Sequence, residues 1–414
     1  MVGEHPEVHR WKHGMVSGDV PKLAAGVRED IWTTGGDHFR VDGTRLGTLA
    51  FRGQPLDAIK IGTVFVDKGG FVYVTGEMPV DGIFLSRHTP DGAEIWRRHV
   101  GRPSKSGAVD LTIGVRSVDS QGKIYVAESL AGCADLGDDK HKVVRCATKA
   151  NVYNPDSDAI PRLYLISQYR SDGSYASTLA FERQPPDAVA ISSDGSIAVA
   201  ARWTDSRDLT LKSPNGEAVR IAGLRHNTHK YSKVFLIVYR PDGHLQFKQE
   251  FGKPSEGYLV GLTYDSSDKL WILLITKPPL QATFPPDPTG SKPGPTMDGL
   301  SLLSINSSGA PTSVWTARFP EVGYAHAMSL DASRDGQLVV AGIYPASLPS
   351  PGRSKSSRPD RSCCVLALDA NTLARYAVEY DAPQAVSVFK KTICHADGKD
   401  IECARFSHSP GREP

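Results

Sequence analysis

The sequence of 414 residues lacks long apolar runs and any strong imbalance of charge. No stretch of about 18 apolar residues occurs, so an ordinary membrane-spanning helix is not expected. The 48 basic and 46 acidic residues leave a formal net charge of +2, which is not the basic surface of a nucleic-acid-binding protein. Nucleic acid and the membrane interior are therefore excluded from the expected partners.

Motifs that identify several common enzyme classes are also missing. The sequence has no G-x-S-x-G nucleophile elbow, no H-E-x-x-H zinc motif, no G-x-x-x-x-G-K phosphate loop and no G-x-G-x-x-G dinucleotide loop. Catalytic residues scattered one per repeat would escape such a search. Catalytic residues are accordingly left unassigned, and whether the protein is an enzyme stays open.

The N-terminus has no apolar core of a signal peptide, and cysteines are few. Cys133 and Cys146 lie in one long loop, and Cys394 and Cys403 flank the last hairpin. Such locally closable pairs are typical of exported proteins, because cytosolic thiols stay reduced. We expect two disulfides in a secreted or periplasmic protein whose leader is absent from this sequence; the alternative is a cytoplasmic protein. The cysteines lack zinc-site spacing, so no metal site is expected.

Turn residues are abundant, with 39 Gly and 29 Pro. In residues 57–101, the β-rich runs IKIGTVFV, FVYVTG, GIFLSRHT and AEIWRRHV are separated by turn signals and show no helical period. Asp91-Gly92 between the last two runs is a strong hairpin signal, because both residues tolerate positive φ. The stretch predicts a four-stranded antiparallel meander.

The same unit recurs along the chain. The hairpin between the third and fourth runs recurs at Gly43, Gly92, Gly173, Gly243, Gly309 and around Asn371, and the first-to-second turn at Gly70, Gly122, Gly195, Asp268, Gly336 and, more weakly, Gly398. Partial units at the two ends complement each other, as in a propeller ring whose ends share one blade. We predict a single all-β propeller of six blades, or seven if residues 1–26 contain further strands.

The predicted domain limits follow from these repeats. Residues 1–26 are expected to be poorly ordered, residues 27–405 to form the propeller, and residues 406–414 to be a tail. The pattern D-x-x-G-x-[IV]-Y-V-x-G, followed by FL-x-x-[YL]-x-P-D-G-x-x-x-W-x-x-x-F-G, resembles the bacterial β-propeller repeat proteins known as the seven-bladed propeller repeat group. It resembles more loosely the six-bladed NHL and TolB-like propellers. The resemblance covers roughly residues 30–404 and implies the fold but no particular chemistry.

Four units carry long insertions at one topological position, between the second and third strands. In a blade, these loops open on the face opposite the tight glycine turns, and binding residues commonly lie on such loops. We therefore expect a monomeric, non-enzymatic binding module that presents this face and the channel mouth to a protein, peptide or glycan. The alternative is a lyase or hydrolase with its site at the channel mouth.

Alignment of the units also selects candidate ligand-binding residues. Asp187, Tyr258, Tyr324 and His326 fall at or just before innermost strands, where side chains would meet at the mouth of the channel. A carboxylate, an imidazole and two phenols would form a polar cluster there. No cofactor is expected for the binding module, whereas the enzyme alternative would use calcium.

Overall fold

The structure, a computed structural model, describes the greater part of the chain. The described residues are 7–12, 23–25, 30–78, 82–100, 102–103, 110–137, 143–148, 161–181, 186–203, 208–212, 217–223, 232–265, 267–277, 297–320, 329–332, 337–343, 362–369, 375–381, 385–389, 392–397 and 400–405. Apart from a 3₁₀ turn at Leu56–Ala58, their regular structure is all β.

The strands of the first half are short apolar runs that end at turn residues, as the period-two pattern predicts. In chain order they are β1 (Glu7–Lys12), β2 (Leu23–Ala25), β3 (Asp30–Thr33), β4 (Asp37–Arg40), β5 (Arg45–Thr48), β6 (Lys60–Val66), β7 (Val72–Met78), β8 (Gly82–His88), β9 (Glu94–His99), β10 (Arg102–Pro103), β11 (Asp110–Val118), β12 (Ile124–Ala131), β13 (Cys133–Asp135), β14 (Val144–Cys146), β15 (Leu163–Tyr169) and β16 (Tyr175–Phe181).

The second half continues the same pattern, with one strand long enough to join two sheets. Its strands are β17 (Ala188–Ile191), β18 (Ile197–Trp203), β19 (Leu209–Lys212), β20 (Ala218–Ile221), β21 (Ser232–Tyr239), β22 (Leu245–Tyr264), β23 (Leu270–Lys277), β24 (Met297–Ile305), β25 (Pro311–Pro320), β26 (Ser329–Ala332), β27 (Gln337–Ile343), β28 (Ser362–Asp369), β29 (Arg375–Asp381), β30 (Ala385–Phe389), β31 (Thr392–Asp397) and β32 (Asp400–Arg405).

These strands form consecutive four-stranded antiparallel units. Five four-stranded sheets are separate, and a seven-stranded sheet comprises two more units that share β22. The first part of β22 pairs with β21, and residues 256–264 pair with β23. In the order of their innermost strands, unit 1 is β2 to β5, unit 2 is β6 to β9, unit 3 is β11, β12, β15 and β16, unit 4 is β17, β18, β21 and β22, unit 5 is β22 to β25, unit 6 is β26 to β29, and unit 7 is β30 to β32 with β1.

The innermost strands close a ring. The contacts run from β2 to β6, β11, β17, the second part of β22, β26 and β30, and from β30 back to β2. Each unit therefore meets one neighbour on each side, which is the arrangement of a β-propeller. The predicted fold class is confirmed by this sheet pairing.

The ring differs from the prediction at its closure. The sequence favours six blades, with residues 30–52 sharing a blade with the C-terminal hairpin, and leaves seven as the alternative if residues 1–26 contain strands. The described strands form seven four-stranded units, as in that alternative. Residues 30–48 instead belong to a unit with β2, and the C-terminal hairpin pairs with β1. Both β1 and β2 lie within residues 1–26, where polar, unpatterned sequence gave no strand signal. Their pairing comes from neighbouring strands rather than from local propensity.

The hydrophobic core lies between successive units rather than at the centre of the ring. Separate buried clusters join units 1 and 2, units 2 and 3, units 3 and 4, and units 4 and 5. Units 2, 3 and 4 are thus covered on both faces by their neighbours, because a single four-stranded sheet cannot cover its own apolar surfaces. The stability of these blades therefore depends on the adjacent blades.

The turn between the first and second strands has the same hydrogen-bonded geometry in three units. The turn aspartate accepts hydrogen bonds from backbone N–H groups and from an aromatic side chain six residues later. The pairs are Asp67 with Tyr73 Oη at 3.0 Å, Asp119 with Tyr125 Oη at 3.1 Å and Asp265 with Trp271 Nε1 at 2.8 Å. This explains the repeated D-x-x-G-x-[IV]-Y pattern as an aspartate whose oxygens are satisfied within the turn, buried in units 3 and 5 and half-buried in unit 2, rather than as a ligand site.

Candidate ligand-binding face and channel rim

The two ends of the ring are built differently. In a four-stranded meander, the first-to-second and third-to-fourth turns lie at one end, and the second-to-third connection lies at the other. The tight turns of neighbouring units touch: Ser120 N–H donates to the Ser193 carbonyl at 2.8 Å, and Ser193 N–H donates to Asp268 Oδ1 at 2.7 Å. We call this end the turn face and the opposite end the insertion face.

All four long insertions connect a second strand to a third strand, as predicted. They lie between β12 and β15, β18 and β21, β23 and β24, and β27 and β28. The parts at residues 278–296 and 344–361 lie outside the described residues. The other two insertions contain described hairpins, and their packing shows what they do.

The insertion of unit 3 contains the β13–β14 hairpin, which pairs with β10 in the link from unit 2. Ala134 and Leu136 are fully buried in the apolar cluster between these two units. The hairpin therefore covers the seam between units 2 and 3. Cys133 and Cys146 are directly opposite in its register and form a disulfide, as the sequence predicts.

The insertion of unit 4 contains the β19–β20 hairpin, which also packs as part of the scaffold. Leu209, Leu211, Val219 and Ile221 are buried in the cluster that holds Phe181 of the outer strand of unit 3. Lys248 Nζ, on the outer strand of unit 4, donates to the Arg220 carbonyl at 2.7 Å. This hairpin covers the seam between units 3 and 4, so its apolar face contributes to stability rather than to a free surface.

The second predicted cysteine pair lies in unit 7. Cys394 and Cys403 occupy directly opposite positions in the register of β31 and β32. Cys403 is almost completely buried and is disulfide-bonded. Because Cys394 lies directly opposite Cys403 on the neighbouring strand, it is the cysteine best placed to be the disulfide partner of Cys403.

Peptide mapping without reduction should recover Cys133 joined to Cys146. Replacing both by serine opens a loop spanning 13 residues, and a loop of about that length contributes roughly 3 kcal/mol when it is closed by a disulfide. Because the hairpin lies outside the four-stranded units, we expect proteolysis at residues 133–146 to become faster under conditions in which the ring is still folded. Free thiols at both positions in protein purified without reductant would contradict this assignment.

Polar side chains mark the insertion-face ends of the inner strands in three consecutive units. Unit 2 contributes Lys60 and Glu77, unit 3 contributes Thr112, Ser129 and Arg162, and unit 4 contributes Asp187 and Arg202; we call these the rim residues. Lys60, Glu77, Thr112 and Asp187 are exposed, although the strands that bear them are the innermost pairs of each blade. Solvent therefore reaches the mouth of the ring at this face.

Two of the rim contacts are well defined. Arg202 Nη2 lies 3.0 Å from Asp187 Oδ1, and the backbone N–H of Arg202 donates to Asp187 Oδ2 at 2.7 Å. In unit 3, Arg162 Nη1 donates to Ser129 Oγ at 3.3 Å. Arg202 and Glu77 occupy equivalent positions in their second strands, five residues after the strand's first core residue, but carry opposite charges. The rim therefore carries charges of both signs in units 2 and 4.

The predicted polar cluster is only partly within the described structure. Asp187 lies at the start of an innermost strand, as expected, with its N–H donated to the Ala200 carbonyl at 3.0 Å. Tyr258 pairs with Ile275 in the register of β22 and β23, and its side chain is outside the described residues. Tyr324 and His326 also lie outside them. Convergence of the four on one ligand remains a prediction.

Sequence reasoning missed Arg202, the residue that actually pairs with Asp187. The sequence contains a signal for this pair, because residues of opposite charge on adjacent strands form a recognised cross-strand pair. It was overlooked because the units were aligned only on their first strands. Lys60 and Glu77 provide the same signal in unit 2, where they are register partners.

Asp187→Asn should change stability little. The pair is partly exposed, with side-chain exposures of 20% for Asp187 and 39% for Arg202, and such pairs contribute about 1 kcal/mol or less. Asparagine also retains an oxygen that can accept the Arg202 backbone N–H. Urea unfolding of the two proteins measures the difference. A loss of about 3 kcal/mol or more, the range of a broken buried pair, would show that the rim is part of the scaffold.

The described segments contain neither a candidate metal cluster nor a candidate membrane-spanning helix. There, no group of three His, Cys, Asp or Glu side chains is placed to hold a metal ion. Within the same segments, no helix has the length and apolar character needed to span a membrane.

Comparison with known proteins adds similarity of shape only. No protein-family model matches the sequence, and no curated protein matches it significantly. The Dos1 propeller is 9% identical with a TM-score of 0.43, over 95% of this chain and 80% of that chain. Puromycin hydrolase is 11% identical with a TM-score of 0.48, over 92% of this chain and half of that chain. A variant of NanB sialidase from Streptococcus pneumoniae is 10% identical with a TM-score of 0.41, over 88% and 71% of the chains. Similarities at this level carry no inference about activity.

Proposed function

We propose that the protein is a binding module of an exported β-propeller, and that its ligand contacts the rim residues on the insertion face. The observation that carries this proposal is the position of exposed Lys60 and Thr112 and partly exposed Asp187 at the same end of three adjacent innermost strands. Rigid, paired strands fix the backbone at these positions, so a ligand has only the side chains to order.

The chemistry of the rim favours a polar ligand with charges of both signs. Lys60 and Arg162 offer donors, Glu77 and Asp187 offer acceptors, and the hydroxyl of Thr112 lies between the charged positions of units 2 and 4. A peptide or a loop of a protein partner carries charges of both signs, and charge complementarity gives specificity to its binding. A glycan is the other ligand class for which a hydroxyl-lined rim is suited.

Export and family are part of the same proposal. The Cys133–Cys146 disulfide supports an extracytoplasmic location, because thiols of most cytosolic proteins stay reduced. The aspartate–aromatic turns of units 2, 3 and 5 support membership of the bacterial propeller repeat group.

A pair of charge reversals tests the rim. Lys60→Glu changes the insertion face of unit 2, whereas Lys68→Glu changes an exposed lysine in the tight turn of the same unit, on the turn face. Wild-type protein would be screened against a displayed peptide library and a glycan array, and each hit would be measured with both variants. We expect Lys60→Glu to weaken binding by about tenfold, the effect of roughly 1.4 kcal/mol, and Lys68→Glu to leave it unchanged.

Three outcomes count against the rim as the binding site. Equal losses in the two variants would indicate a general electrostatic effect. Undiminished binding to Lys60→Glu would move the ligand elsewhere, and a loss confined to Lys68→Glu would move it to the turn face.

A further inference from the structure

Arg116 differs from every rim residue in its position along the channel. It lies on β11, the innermost strand of unit 3, three residues before the turn aspartate Asp119 and thus near the turn face. The register of β11 with β12 shifts between Val115 and Ser117, so Arg116 is the extra residue of a β-bulge. Bulges turn a side chain out of the regular alternation and are common next to functional sites.

The surroundings of Arg116 leave its charge uncompensated. Val115 is buried, whereas Arg116 is exposed to solvent. Among the described residues, no hydrogen bond or ion pair joins Arg116 to another side chain, and Asp119 is already occupied by the turn N–H groups and Tyr125. The neighbouring inner strands β6 and β17 carry no acidic residue, and the single charge on them is Lys60 at the far end of β6.

Although the residue as a whole is exposed, the surrounding protein partly desolvates the guanidinium, and this desolvation lowers the pKa of Arg116. A partly desolvated cation is stabilised more by a bound anion than a fully hydrated surface arginine is, because the attraction is stronger where the effective dielectric constant is lower. The fork of guanidinium donors also matches two oxygens of a carboxylate or phosphate group.

We infer that Arg116 is an oxyanion-binding residue of the central channel, taking a carboxylate or phosphate group of a small ligand near the turn face. This goes beyond binding at the rim, because it involves the opposite end of the inner strands. The two sites can be tested separately, and either can fail without the other.

The test uses the full chain and two defined probes, inorganic phosphate and acetate, in chloride buffer of constant ionic strength. Isothermal titration calorimetry of wild type should show binding of at least one of them. Arg116→Gln should weaken it by at least about tenfold, as expected for the loss of a charge-assisted pair, and Arg116→Lys should weaken it less. Arg45→Gln is the matched control, because Arg45 is an exposed arginine paired with Asp37 on unit 1.

A second measurement does not require a variant that folds. Phenylglyoxal labelling of wild type, mapped by mass spectrometry, should modify Arg116, and the bound probe should slow labelling there but not at Arg45. Binding that survives Arg116→Gln, no binding of either probe, or labelling of Arg116 that neither probe slows would each overturn the inference. Which of the two anions protects Arg116 identifies the chemistry of the natural ligand.

Discussion

Gly92→Val should destabilise the ring by about 3 kcal/mol or more. Gly92 has φ of +93°, and a Cβ at this position would lie 2.6 Å from the Thr48 carbonyl oxygen and 3.0 Å from the Trp32 ring. A β-branched residue in the left-handed region costs about 1–2 kcal/mol, and overpacking against backbone adds about 1–3 kcal/mol. Thr48 and Trp32 belong to unit 1, so the substitution strains the seam between units 1 and 2. Urea unfolding measures the free energy.

Two other glycines separate these contributions. Gly53 has φ of +72° with nothing within 4 Å of its Cβ position, and Gly47 has open space and no positive φ. Gly53→Val should therefore cost about 1–2 kcal/mol from the backbone alone, and Gly47→Val should change stability by less than about 0.5 kcal/mol. If Gly92→Val proves no worse than Gly53→Val, the contact between the hairpin turn and the preceding blade does not contribute.

The same turn recurs around the ring, and at Gly92, Gly173 and Gly309 the glycine packs against the outer strand of the preceding unit. A Cβ at Gly173 would meet Trp96, and one at Gly309 would meet Phe247. The sequence predicts the turn, because Asp-Gly or Ser-Gly is required locally by the positive φ. It does not predict the partner, because the contacts join residues about 44 positions apart (Thr48 and Gly92) to about 77 positions apart (Trp96 and Gly173) and depend on how one blade sits on the next.

The same contrast, between local signals and contacts that join residues distant in sequence, explains the other differences between prediction and structure. The four strands of unit 2 were predictable, because they combine local alternation with two strong turn signals. The strand β1 was not, because Glu7–Lys12 has no apolar face of its own and forms a strand by pairing with β32. The insertions of units 3 and 4 looked like loops of a binding face, yet the apolar alternation of Leu209, Leu211, Val219 and Ile221 was a readable strand signal. At the rim, single-strand alignment found Asp187 and missed its partner Arg202.

Glu128 is an acidic residue of unit 3, on a strand that contributes side chains to the apolar cluster between units 2 and 3. It lies on β12 of unit 3, is buried, and accepts hydrogen bonds from Ser167 Oγ at 2.9 Å and Tyr169 Oη at 3.3 Å. Burial raises the pKa of Glu128 from 4.5 to about 7, although both donors act in the opposite direction. Burial also raises the pKa of Tyr169, so its hydroxyl stays a donor throughout the physiological range. The carboxyl is therefore accommodated best when it is protonated.

Glu128→Gln should make the protein more stable at pH 8 and leave it nearly unchanged at pH 5. Because the folded-state pKa lies above the unfolded value, the wild type is most stable below about pH 4.5 with respect to this group and loses stability as pH rises towards about 7. A difference of that size corresponds to about 3 kcal/mol, and glutamine removes the titration while keeping the hydrogen-bonding shape. Ser167→Ala removes a donor that lowers the Glu128 pKa, so the loss of stability should still begin near pH 4.5 but extend to higher pH and become larger. Urea midpoints measured between pH 5 and 8 test both variants, and a Glu128→Gln profile parallel to that of wild type would place the titrating group elsewhere.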